Sequence, residues 1–388
     1  MAGWQIPASV PQLLRRAREL SGIALVDTGP ETALQRLLHS LNNEAQLNDR
    51  GAQAIEQRLL RLLCNRLRMQ RDIRDNPEIL KQDIGPVLLV TGNPRTGSTK
   101  LQKLLAASGD FKYLPFWQVH SPALLTGDRH ENTAPRIADA ETYVRWIAEF
   151  APGAQANHGY GTFEPEEEAI FLEQFIGFIF PSVYAHVPSF LQWWASQDFT
   201  AQAEYLKQGL QYLQWQFHDG DHRPWLLKAP MYFGFEEVLD RVFPGSSFVI
   251  THRDPANVVP STANLVHGYR QGFSDVDYRK VLGASFVAGI TAGTGLHSAV
   301  RERRPDLKFL DISYARLTQD SLGVVADIYA RAGKRLEDLA RVKMREWEAR
   351  HAHDGQRPPD YALADFGLTT EMIAKEFATY DRQFRPYF

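Results

Sequence analysis

The stretch GNPRTGST, residues 92–99, holds glycines at Gly92 and Gly97, an arginine between them, and hydroxyl side chains at Thr96, Ser98 and Thr99. Preceded by the apolar run VLLV and followed by leucines at helical spacing, it reads as strand, tight loop and helix start. In that layout the loop N–H groups and the positive end of the helix form a nest for phosphate oxygens. A plain strand-to-helix turn is the alternative reading. In nucleoside triphosphatases a lysine directly after the second glycine reaches the β- and γ-phosphates, and the next hydroxyl holds Mg²⁺. Here Ser98 stands in the place of that lysine, and the positive charge is Arg95, two residues before Gly97. The loop therefore suits an anion that has no γ-phosphate.

A second basic group follows another apolar run. In THRDPANVVPS, residues 251–261, Arg253 lies at a strand exit, Asp254 suits a helix N-cap and Pro255 the first helical position. Ser261 lies seven residues beyond Asp254, on the same helix face, so Arg253 and Ser261 are placed to grip one anion together. An ordinary ion pair at a helix terminus is the competing account of Arg253. A donor with one activated group on its 5′-phosphate and a further phosphate elsewhere would use both sites. 3′-Phosphoadenosine 5′-phosphosulfate (PAPS) is such a compound.

The elements that must position these groups are legible as patterns. Short apolar runs at 86–91, 225–228, 247–251 and 307–312 alternate with helical stretches, which predicts an α/β fold. Its form is a P-loop-like three-layer arrangement, with a central, mostly parallel sheet flanked by helices. Residues 31–73 repeat leucine and isoleucine every three to four positions, so residues 1–80 form an N-terminal helical layer and 81–388 the α/β domain. About 150–215 has no strand pattern and is rich in aromatics, from Phe163 to Trp194. It reads as a helical insertion, its aromatics filling core in preference to lining a pocket for an apolar ligand. Pro260 is expected to cost the helix after Arg253 a hydrogen bond.

Composition bounds the rest. With 44% hydrophobic and 23% charged residues the chain has enough apolar material for a sizeable core. A net charge of −3 provides no general basic field, so a nucleic-acid partner is not expected and any anion site must be local. One cysteine, Cys64, makes neither an internal disulfide nor a cysteine-rich zinc site. No secretory leader or membrane-spanning stretch is apparent, and a cytoplasmic protein is the expectation.

At this point the chain resembles the sulfotransferase superfamily, most closely a bacterial branch with a helical N-terminal layer. PRTGST (94–99) is similar to its 5′-phosphosulfate loop, THRDPANVVPS to its 3′-phosphate motif, and the LLKAP between them (226–230) carries a family lysine. The resemblance implies that Arg95, Thr96, Gly97, Ser98 and Thr99 bind the 5′-phosphosulfate, and that Arg253 and Ser261 bind the 3′-phosphate. Lys228 would contact the sulfuryl group, and Tyr314 would lie beside the adenine unless it is a core aromatic. PAPS is then the donor, 3′,5′-adenosine bisphosphate (PAP) the product, and no metal is required. Arg350 or Arg357 would add a phosphate contact.

Sulfuryl transfer also wants a base for the acceptor's proton. HGYGTFEPEEE (158–168) resembles the family's histidine and acidic pair, which favours His158 with Glu167; a solvated acidic helix start is the bland alternative. His120 is the reserve, since Gln118 stands where related enzymes often carry a catalytic glutamate and Tyr232 where they commonly show histidine. The acceptor would be a small, lipophilic molecule with a hydroxyl or amine, and a homodimer is left open. Rival readings are a P-loop kinase or NTPase, and a catalytically inactive nucleotide-binding relative.

Overall fold

The structure, a computed structural model, describes residues 6, 9–24, 29–155, 158–179, 181–351 and 361–388. Four strands form one sheet: β1 Leu88–Gly92, β2 Leu226–Lys228, β3 Ser247–His252 and β4 Lys308–Ser313. Their order is β2-β1-β3-β4 and every pairing is parallel. The α/β expectation, with helices on both faces of a parallel sheet, holds, and each of the four apolar runs became a strand within two residues of its expected limits.

Side chains alternate across a strand, so successive residues enter different cores. Leu89, Leu227, Phe248 and Ile250 join one hydrophobic cluster with the N-terminal helices and the aromatic insertion. Leu88, Val90, Leu226, Val249 and Ile312 join the other, with Leu101, Leu104 and Leu105 of the helix Ser98–Ala107 and Met344 of the helix Asp338–Arg350. A strand buried on both faces has to be apolar throughout, as the LLV of β1 is.

The N-terminal helical pattern is interrupted once. Helix Glu31–Asn43 stops and Asp49–Asp75 begins, with Asn48 as N-cap accepting from the Gly51 N–H at 2.8 Å. The insertion is helical as expected, and Phe171, Phe178, Tyr184 and Phe190 are buried core side chains. Phe163 is instead an exposed side chain. The helix Pro255–Phe273 runs through Pro260, with Asp254 capping it by accepting from the Ala256 N–H at 2.8 Å. Among the described residues no helix is long and apolar enough to cross a membrane.

Candidate active site

The carboxyl ends of β1, β2 and β3 converge on one edge of the sheet. The chain leaves β1 for β2 on one side, and β3 pairs on the other side of β1, so this end of the sheet is a topological switch point, where such sheets place their ligands. The loop after β1 lies at this point. Gly92 has φ +134° and Gly97 φ +87°; a Cβ on Gly92 would lie 2.4 Å from the Thr251 carbonyl oxygen, and one on Gly97 would press on Leu317 and Tyr314. Only glycine fits either place. Arg95 also takes a positive φ, +65°, a strained conformation for a side-chain-bearing residue and one that turns it out of the loop's run.

The loop is tied from within. Thr96 Oγ1 donates to the Asn93 carbonyl at 2.6 Å and lies 2.6 Å from Thr251 Oγ1 on β3. Its hydroxyl thus serves the loop itself, and its backbone N–H is the group it can offer an anion. Because Gly97 is the N-cap, no side chain caps the helix Ser98–Ala107.

The two expected anion sites meet. Arg95 Nε donates to Ser261 Oγ at 3.1 Å, and Arg253 Nη1 donates to the Arg95 carbonyl oxygen at 3.0 Å. Arg253 also stacks on the Tyr314 ring, 4.2 Å from its centroid. Burial lowers the pKa of Arg95, and the nearby positive charge of Arg253 pushes the same way against the phenols of Tyr361 and Tyr314. Two guanidinium groups this close favour an anion between them. Arg350 is exposed at the end of its helix, donating to the Glu346 carbonyl, and Arg357 lies outside the described residues.

Lys228 ends β2 completely buried. Its Nζ donates to Thr99 Oγ1 at 3.1 Å and to Glu167 Oε1 at 2.5 Å, so it spans the loop helix and the acidic run. Its backbone N–H donates to Glu168 Oε2 at 2.9 Å, and the Tyr232 hydroxyl reaches the same oxygen at 3.4 Å. Burial holds the Glu168 carboxyl well above the usual carboxylate range. Tyr232 therefore supports the acidic run from beneath.

His158 pairs with Glu166, Nε2 to Oε2 at 3.3 Å, and Glu167 is given over to Lys228. Burial pushes the Glu166 carboxyl up, but His158, Lys228 and the Glu167 N–H hold it down at about 2. The acidic run was visible in the sequence, but its division among three partners was not. Glu168, Thr251 and Tyr232 were missed as supporting residues, although each stands within or beside a stretch the sequence had singled out.

His120 occupies a different setting. It is 1% exposed, packs against Phe116 and Tyr143, and places Nε2 3.3 Å from Asp139 Oδ2. The Gln118 side chain is buried too, and its Oε1 has no partner. Desolvation, with help from Arg61, lowers the His120 pKa to about 3. A base whose folded pKa lies below its unfolded value contributes stability above about pH 6.5, and loses it as pH falls toward 3, because only the unfolded state takes up the proton. Urea denaturation at pH 7 and pH 5 should show the wild type losing up to about 1.4 kcal/mol per pH unit more than His120→Gln over that window.

Taken together, the parallel sheet carries the glycine loop on one of its two inner strands and gathers basic groups from the neighbouring strands beside it. The model of the sulfotransferase family matches residues 86–338, and the chain belongs to that family. A sulfotransferase structure from Mycobacterium tuberculosis H37Rv superposes with a TM-score of 0.79 at 27% identity, over 97% of this chain and 100% of that one. One from Mycobacterium avium gives 0.84 at 24% identity, over 97% and 96%. No curated protein sequence matches the chain.

Proposed function

We propose that the protein transfers the sulfuryl group of PAPS to a hydroxyl or amine of a small, lipophilic acceptor. The observation that carries this reading is the convergence of Arg95, Arg253 and Ser261 beside a glycine loop without its own lysine, with Lys228 entering from β2. Gly92 and Gly97, packed against Thr251, Leu317 and Tyr314 with positive φ, allow the tight turn that would present the loop N–H groups to a phosphate. In this reading the N–H groups of Thr96 to Thr99 and the Arg95 side chain hold the 5′-phosphosulfate. Arg253 and Ser261 hold the 3′-phosphate, with Tyr314 beside the adenine.

Lys228 and the loop N–H groups neutralise charge on the sulfuryl oxygens and on the leaving bridge oxygen, the main source of rate in such displacements. The bond from sulfur to the acceptor atom forms as the bond from sulfur to the 5′-phosphate oxygen breaks, and PAP leaves with that electron pair. His158, oriented by the anionic Glu166, takes the acceptor's proton. Glu167 holds Lys228 in place, and the deeply buried His120 is the weaker candidate for the base.

The test is incubation with PAPS and a panel of phenols and alcohols in the presence of EDTA, read by mass spectrometry. The expected result is an acceptor heavier by one sulfuryl group, formed at the same rate with and without the chelator. Tighter calorimetric binding of Mg²⁺–ATP than of PAP, with no transfer, would replace this reading by a kinase-like one. Tight PAP binding with no transfer to any acceptor would favour the inactive relative.

A further inference from the structure

A cavity of about 710 Å³ lies between the long helix Asp49–Asp75 and the helix Ala134–Phe150. Its size falls in the range of small-molecule sites. One wall is aromatic, formed by Tyr143, Trp146 and Phe150. The opposite wall carries Arg58 and Arg61, and Arg61 also borders a second cavity of about 350 Å³ on its far side.

The donors around this space are not all satisfied by hydrogen bonds. Arg58 is neutralised by Glu173, and Glu56 by Arg16. Asp139 is hydrogen-bonded by His120 and the Ser121 hydroxyl, and its negative charge acts on Arg61 without a hydrogen bond to it. Arg61 has the His120 carbonyl as its acceptor, at 2.6 Å from Nη1, while its Nη2 is buried with no hydrogen-bond partner. A buried cationic donor left in this state is stabilised by any ligand oxygen that reaches it. Tyr143 of the cavity wall packs edge-on to Tyr160 at 6.4 Å, and Tyr160 edge-on to His158 at 5.3 Å. Two rings thus connect this space to the proposed base.

We propose that this cavity is a second small-molecule site, for an amphipathic anion whose aromatic or polycyclic body lies on Tyr143, Trp146 and Phe150 and whose carboxylate is held by Arg61. The site is distinct from the one assigned to PAPS, and its occupancy does not depend on sulfuryl transfer.

Pyrenebutyrate and pyrenebutanol, alike in body and different in head, test it by fluorescence anisotropy on the full chain without donor. The acid is expected to bind at least tenfold more tightly than the alcohol. Arg61→Met should abolish that preference, and saturating PAP should displace neither probe. Since Arg61 also holds the His120 carbonyl, Thr142→Trp serves as a second variant, narrowing the cavity from the other helix and weakening both probes. Absence of binding, equal affinity for the two probes, a preference that survives Arg61→Met, unchanged binding in Thr142→Trp, or displacement by PAP would each overturn the proposal.

Discussion

Replacing Lys228 with methionine is expected to lower kcat for sulfuryl transfer by about 10²- to 10³-fold, the size of effect seen when one preorganised donor is removed from a developing oxyanion. Methionine fills a similar volume, so the packing of β2 against β1 is retained. The substitution also strands Glu167, whose partner is the lysine Nζ. A negative group is then left beside the place where negative charge develops, which adds to the loss. Because the contribution is realised in the transition state, kcat should fall while the KM for PAPS changes little. Steady-state kinetics with both substrates varied, alongside a thermal melt showing a folded variant, checks this. A proportional rise in KM at unchanged kcat would assign Lys228 to ground-state binding instead.

The second large effect is expected at Arg253. Arg253→Met should weaken PAP binding by about 30- to 100-fold, which is the 2–3 kcal/mol of a hydrogen bond to a charged group. Calorimetry with PAP reads it directly, without any acceptor. Its guanidinium also stacks on Tyr314 and donates to the Arg95 carbonyl, so a second nucleotide separates holding of the 3′-phosphate from support of the loop. Adenosine 5′-phosphosulfate, which lacks the 3′-phosphate, should bind wild type and variant with closely similar affinity. An equal loss for both nucleotides would mean that Arg253 shapes the loop rather than holding the 3′-phosphate.

The two expected anion sites were read from separate motifs, and the structure brings these into contact through Arg95 and Ser261. These residues are 166 positions apart in sequence. β1 and β3 are direct neighbours, with Gly92 opposite Thr251, and this carries the loop after one strand alongside the helix after the other. Each motif declares its own local geometry, glycines for the turn and an aspartate and proline for the helix start. Neither declares which strand will be its neighbour. The acidic run makes the same point at shorter range. Glu167, the N-cap of the helix Glu168–Leu172, has extended backbone, and consecutive side chains in extended chain leave on opposite sides. Glu166 and Glu167 therefore go to different partners, and spacing along the sequence does not distinguish them.

By itself the sequence determined the strands, the helix starts and the place of the glycine loop, because each depends on a pattern no longer than a few residues: apolar runs, glycine where φ is positive, a cap before a helix. The tertiary structure alone decided the pairings. It set His158 against Glu166, Lys228 between Thr99 and Glu167, and Arg61 in a cavity wall with one guanidinium nitrogen lacking a hydrogen-bond partner. Those contacts depend on strand order and on the packing of the N-terminal helices, which arise from burial summed over the whole chain and carry no signature in any short segment.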